Sequence, residues 1–228
     1  MSKSEQYAKS AAGWSETQYA DPHGYLAHRA RLVIDLGPRL LAGDEVLDLA
    51  CGDGGLGAHL VASGLRYRGV DATPEMAAAA ARRLAGRAVV EVGDLNDYEP
   101  PGPVAATTVF RAIYYAPDRR ELFTRLGAFT TRKLVFDLNP RQYELGAVLD
   151  DLRAAGFEHT ALRPFFVPQT RALPWPAGPL LRCGERTAGL ARLVLRHRFT
   201  YVVAAWRGHP VSEAGSRKRS GRRARAGR

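Results

Sequence analysis

Four carboxylates and a cluster of glycines carry the chemistry that this sequence can offer. Asp48, Asp71 and Asp94 each stand at or near the end of a short apolar run, and Gly52, Gly54 and Gly57 crowd around Asp53. The run Val46, Leu47, Leu49, Ala50 reads as a buried strand of a parallel sheet. The glycines break it into a sharp turn, and a helix is expected from about Gly55 to Ser63. Glycine suits such a turn because a side chain would block the close approach of a ligand to the backbone. Strand, glycine turn and helix N-terminus together form a nucleotide cradle at the carboxyl edge of a sheet.

The type of nucleotide follows from the acids. Gly52, Gly54 and Gly57 have the G-x-G-x-x-G spacing, and Asp71 closes the next strand, about where a ribose-binding acid belongs. A dinucleotide, however, would bring its pyrophosphate against Asp48 and Asp53 and lose the benefit of the positive helix end. A cationic nucleoside without phosphate would gain from the same carboxylates, and S-adenosylmethionine is one. An NAD(P)-dependent oxidoreductase is therefore the less favoured reading. A non-catalytic cofactor-binding or scaffold protein is a further alternative.

Three blocks carry a family resemblance. Val46-Leu47-Asp48-Leu49-Ala50-Cys51-Gly52-Asp53-Gly54 resembles the first motif of the class I S-adenosylmethionine-dependent methyltransferases, with Ala50 at the middle glycine. Gly69-Val70-Asp71-Ala72-Thr73-Pro74-Glu75-Met76 resembles their strand-two block, and Val90-Glu91-Val92-Gly93-Asp94-Leu95 their strand-three block. The resemblance covers residues 45 to 96, and more loosely extends to about 139. It implies that Asp71 binds the ribose hydroxyls, that Asp94 reaches the adenine amino group, and that helices before the first strand form a lid. It implies a cofactor site made of Tyr19, Arg29, Asp48, Ala50, Cys51, Gly52, Asp71, Ala72, Met76, Asp94, Leu95 and Arg111. Arg29 would pair with the methionine carboxylate, since guanidinium binds carboxylate in a bidentate fork.

For the reaction itself the main demand is to hold acceptor, methyl and sulfur collinear. A base is needed only for a protonated acceptor, and His23 and Tyr114 are the candidates. His59, in the helix after the glycine turn, reads as structural. The Asp/Asn-Pro-Pro-Tyr segment of amino-methyltransferases acting on DNA bases or glutamine is absent after strand four, where the chain reads Phe110-Arg111-Ala112-Ile113-Tyr114-Tyr115. A small-molecule acceptor is expected. Asn139 and Arg141, at the end of strand five, are plausible contacts for it. Cys51 and Cys183 stand far apart without His or Cys neighbours, so neither a disulfide framework nor a metal site is expected, and a reduced cytoplasmic protein is.

The elements that must position these residues alternate. Strands near 88–92, 105–110 and 133–138 are separated by helices from Thr73-Pro74 to Ala85 and from Asp118 to Gly127. A helix over 143–155, a strand over 157–163 and a final strand over 197–206 follow. The expected fold is α/β: a Rossmann-like, seven-stranded, mostly parallel sheet with helices on both faces and the last strand antiparallel. Residues 1–41 read as a helical lid (a helix over 4–20 with Tyr7, Trp14 and Tyr19, a break at Asp21-Pro22-His23-Gly24, then a helix over 25–36). Residues 42–211 read as the methyltransferase domain. Within it, residues 164–196 form an insertion, with an extended proline-rich part over 164–182 bearing Leu173 and Trp175, then a helix over 186–195. Residues 212–228 read as a disordered tail.

Net charge is +10, but the stretch 214–228 alone carries +7 from six arginines and one lysine, leaving +3 for the body. Nucleic-acid binding is accordingly not favoured. Leu180, Leu181, Leu190, Leu193 and Leu195 alternate with Arg182, Arg186, Arg192 and Arg196 as a membrane-surface helix would. An ordinary helix with snorkelling arginines is the preferred reading.

Overall fold

The computed structural model describes residues 11–171, 174, 176–187 and 200–208. Tyr7, Leu173, Trp175, most of the helix expected over 186–195, the first residues of the last strand and the basic tail lie outside the described residues. The chain runs through α1 (Trp14–Gln18), α2 (Pro22–Asp35), β1 (Glu45–Leu49), α3 (Gly55–Ala62), β2 (Arg66–Asp71), α4 (Pro74–Leu84), β3 (Val89–Val92) and β4 (Val104–Val109). It continues through α5 (Arg119–Phe129), β5 (Thr130–Leu138), α6 (Leu145–Ala154), β6 (His159–Phe165), α7 (Ala177–Gly184) and β7 (Thr200–Trp206). One seven-stranded sheet has the order β3-β2-β1-β4-β5-β7-β6. β1 to β5 are parallel, and β7 is antiparallel to both of its neighbours. The expected fold class is the one observed.

The two-residue period of the strands sorts the core into two layers. Val46, Ala106, Val135, Val202 and Ala204 face one layer with Leu26, Val33 and Leu60. Leu47, Leu49, Leu134, Phe136, Leu138 and Val203 face the other with Leu122, Leu126 and Leu152. Each such fully buried Leu or Phe contributes roughly 1.5–3 kcal/mol over an exposed one. Strand order reverses beside β1, which has β2 on one side and β4 on the other, so a crevice opens at their carboxyl ends.

Local expectations are corrected at Asp21-Pro22 and in the proline-rich insertion. Asp21-Pro22 starts α2 instead of breaking a helix: the Asp21 carboxylate accepts the Gly24 N–H at 2.9 Å, and proline at the first position has no N–H to waste. Thr73 stands at the N-cap of α4 without a side-chain cap bond, and its own N–H donates to Asp71. The proline-rich insertion is not extended throughout, because Pro176 and Pro179 fall at the cap and first turn of α7, where an amide is not required. Ahead of α1 the described chain makes a single 3-10 turn, Ala11–Gly13.

Lys133 on β5 is fully buried, and its Nζ donates to the carbonyls of Ile34 and Leu36 at the end of α2, at 3.0 and 2.8 Å. This ties the lid helix to the sheet. Desolvation lowers its pKa to about 7. The unfolded chain then binds one more proton than the folded chain between about pH 7 and pH 10, so stability rises with pH across that window. Denaturant titrations of wild type and Lys133→Met should show the wild type gaining on the variant by on the order of 1 kcal/mol per pH unit from about pH 7.5 to 9.5. A pH-independent difference would contradict the assignment.

Candidate functional site

Asp48 is the innermost polar group of the crevice. In register with Thr108 on β4, it accepts the Thr108 hydroxyl at 2.5 Å and, through its other oxygen, the Tyr67 hydroxyl of β2 at 2.7 Å. Room for the Tyr67 ring comes from Gly57 and Gly69, where an added Cβ would lie 2.5 and 2.9 Å from ring atoms. Burial pushes the Asp48 carboxyl up to about 6, against the opposing pull of the two hydroxyls.

The turn after β1 is stitched from within. Cys51 N–H donates to Val70 O at 3.0 Å, Gly52 N–H to the Asp71 carboxylate at 2.8 Å, Gly54 N–H to Cys51 O at 3.2 Å and Gly55 N–H to Asp53 at 3.3 Å. Ala50 takes the left-handed conformation, φ 58°, that glycine adopts at low cost. Gly54 is left-handed as well, φ 74°, and an added Cβ would sit 3.0 Å from Ala80. Asp71 holds both chain directions, accepting Gly52 N–H on one oxygen and Thr73 N–H on the other. Burial raises its pKa, and those two amides partly offset the shift. The Cys51 thiol is raised well above its ordinary value, chiefly by burial, and so is poorly suited to act as a nucleophile.

Asp53 faces the lid. It accepts the Ser15 hydroxyl at 2.5 Å and the Ser15 N–H at 2.9 Å, while Arg83 bridges it to Glu16. Its charge is thus answered by Arg83, which corrects the expectation that it opposes an incoming phosphate. Further along the edge, Asp94 accepts Asn96 N–H and Nδ2 at 2.8 Å, and Arg125 donates to the Leu95 and Tyr98 carbonyls to hold that loop. On the opposite wall Arg29, although 4% exposed, lies 4.4 Å above the Phe110 ring, donates to the Tyr25 hydroxyl at 2.9 Å and stands 3.9 Å from Asp137. Burial works against its charge, but Tyr25, Tyr19 and Asp137 outweigh that and keep it protonated. Asp48, Asp53, Asp71, Asp94, Arg29 and Phe110 line a cavity of about 430 Å³.

Residues 46–131 match the family model described as a methyltransferase domain. The seven-stranded sheet around that match has the Rossmann-like methyltransferase fold. A TehB-like SAM-dependent methyltransferase from Corynebacterium glutamicum superposes with a TM-score of 0.62 at 17% identity, covering 90% of this chain and 98% of the other. A chain of the complex between the Haloferax volcanii Trm112 methyltransferase activator and a candidate methyltransferase gives 0.61 at 21%, with 90% and 98% covered. Magnesium protoporphyrin IX methyltransferase (ChlM) from Synechocystis, crystallised with bound SAM, gives 0.53 at 16%, with 86% and 80% covered. No curated protein matches in sequence.

The cavity brings together all twelve residues expected around a cofactor, with Tyr114 of the 3-10 turn Ile113–Tyr115 beside them. His23 is not among them. As a first-turn residue of α2 it is exposed and packs on His59, ring centroids 4.9 Å apart, which corrects its candidacy as a base. Asn139 and Arg141 lie outside the cavity too, since Asn139 caps its own turn by accepting Arg141 N–H. Sequence reasoning passed over Ser15 and Asn96 on the wall and Asp137 behind it. Only the polar end of strand five hinted at the last. Asp53→Ala should cost about 3 kcal/mol, because it strands Ser15 and Arg83 around a buried gap. Urea unfolding checks this, and a cost under about 1 kcal/mol would show that the lid is not latched there.

Proposed function

We propose that this cavity binds S-adenosylmethionine and that the protein transfers its methyl group to a small-molecule acceptor. The observation that carries the reading is the occupation of the glycine-turn amides. A pyrophosphate needs those N–H groups, and here four of them are satisfied by Asp71, Asp53 and backbone carbonyls. What the turn offers a ligand instead is carboxylate: Asp71, with spare lone pairs for ribose hydroxyls, Asp94 for an amino group, and Asp48 beneath.

The residues fit this cofactor on a second count. Arg29 Nε is buried without a hydrogen-bond partner among the described residues, and its guanidinium lines the cavity, so a carboxylate would complete it. When bound, the cofactor supplies an electrophilic methyl on a sulfonium, transferred in line as the acceptor's lone pair forms the new bond and the carbon–sulfur bond breaks. The chain's own work is positional. α1 and α2, latched by Ser15–Asp53 and by Lys133, cover the crevice and limit water. Phe110, Tyr114 and Tyr115 give the acceptor an aromatic wall. Tyr114 is the side chain assigned to a proton should the acceptor carry one. Among fold neighbours, a magnesium protoporphyrin IX methyltransferase and a glycopeptide N-methyltransferase bear the names of such acceptors.

Calorimetry should show S-adenosylmethionine and S-adenosylhomocysteine binding, with NAD and NADP inert. Asp71→Ala should weaken both by about tenfold or more, the equivalent of roughly 1.4 kcal/mol. Binding of NAD, or indifference to Asp71→Ala, would refute the assignment. The Asp48 shift adds a pH signature. A cation favours the ionised form, so the preference for S-adenosylmethionine over S-adenosylhomocysteine, whose sulfur is a neutral thioether, should grow as pH rises through about 6 and then level off. Asp48→Asn should flatten that curve. A preference that is already flat in wild type would mean that Asp48 does not sense the sulfonium.

A further inference from the structure

Building on that reading, we propose that the methyl acceptor bears a carboxylate and that Arg111 receives it. β3, β2 and β1 end at Asp94, Asp71 and the glycine turn, which a nucleoside cofactor spans, so the acceptor's share of the cavity lies over β4 and β5. Arg111 is the first polar residue beyond β4. Its backbone is left-handed, φ 55°, a conformation that costs a non-glycine residue about 1–2 kcal/mol. Asp137 at the end of β5 holds it there, accepting the Arg111 N–H at 2.6 Å. Such strain persists where surrounding structure enforces it, and it commonly marks a functional position. Here it turns the guanidinium into the cavity, where Nη1 is buried with no hydrogen-bond partner among the described residues.

Charge points the same way. Two guanidinium groups, Arg29 and Arg111, share this end, and Asp137 stands 3.9 Å from the Arg29 guanidinium while meeting Arg111 through its backbone N–H. The cofactor brings one carboxylate, its ammonium and its sulfonium, and is net positive. With Arg29 committed to that carboxylate, the Arg111 guanidinium of the loaded site has the Tyr19 hydroxyl beside it but no ion pair among the described residues, a costly state for a desolvated charge. An anionic acceptor neutralises it. The neighbouring Tyr114 and Tyr115 rings, 4.4 Å apart, suit a planar or aromatic body on the same molecule.

Benzoate and benzamide test this on the full chain saturated with S-adenosylhomocysteine, since they match in shape and differ in charge. Ligand-observed NMR should show benzoate binding at least about tenfold more tightly. Arg111→Gln should abolish that preference, whereas Arg111→Lys should keep part of it. S-adenosylhomocysteine affinity should fall further in Arg29→Gln than in Arg111→Gln. Equal binding of the two probes, or no binding of either, to the loaded wild-type protein would overturn the proposal while leaving the cofactor assignment standing. A loss of S-adenosylhomocysteine binding in Arg111→Gln as large as in Arg29→Gln would also overturn it, by giving Arg111 to the cofactor. If S-adenosylhomocysteine does not bind wild type at all, the cofactor reading fails first and this proposal falls with it.

Discussion

The hydrogen bond from Gly52 N–H to the Asp71 carboxylate is the contact on which the site depends. It joins the turn after β1 to the end of β2, and with Cys51 N–H on Val70 O it closes the backbone that a phosphate would otherwise use. A carboxylate that accepts two amides keeps lone pairs for two hydroxyls. The same interaction thus shapes the turn, occupies its amides and leaves carboxylate lone pairs facing the cavity, where the proposed cofactor would place its ribose. Left-handed Ala50 and Gly54 are the local conditions that bring Gly52 to Asp71.

Buried charge is handled differently at each point around that contact. Asp48 sits under two hydroxyls with no cation bonded to it among the described residues, so desolvation prevails and its pKa is pushed up to about 6. Asp53 has Arg83 and Ser15, and spends its charge on latching the lid. Arg29 rests on Phe110 and Tyr25, where ring faces and Asp137 offset burial. Lys133 has carbonyls alone, and burial lowers its pKa most visibly. The proposed cofactor would bring a cation to Asp48 and a carboxylate to Arg29, whose Nε has no hydrogen-bond partner among the described residues.

What could be read from the sequence was whatever depends on near neighbours in the chain. The apolar runs around Asp48, Asp71 and Asp94 yielded three parallel strands because buried strands are apolar on both faces. Thr73-Pro74 and the alanine run marked α4, and the glycines marked the turn. What escaped reading depends on partners far along the chain. Ser15 meets Asp53 across 38 positions, and Arg29 approaches Asp137 only because β5 lies beside β4. Asp53 was read as a charge facing the ligand, since Arg83 gave no sign of reaching it from α4. Asp21-Pro22, read as a break, is a start signal because the aspartate side chain caps the next turn, and His23, suggested only by likeness to a lid, falls on the exposed first turn against His59.

A crystal structure with S-adenosylhomocysteine bound tests the account most directly. It predicts the ribose hydroxyls on Asp71 with the Gly52 N–H still bonded to that carboxylate, and the adenine beside Asp94 and Leu95. A nucleoside seated away from Asp71, or a Gly52 amide turned to face the ligand, would contradict it.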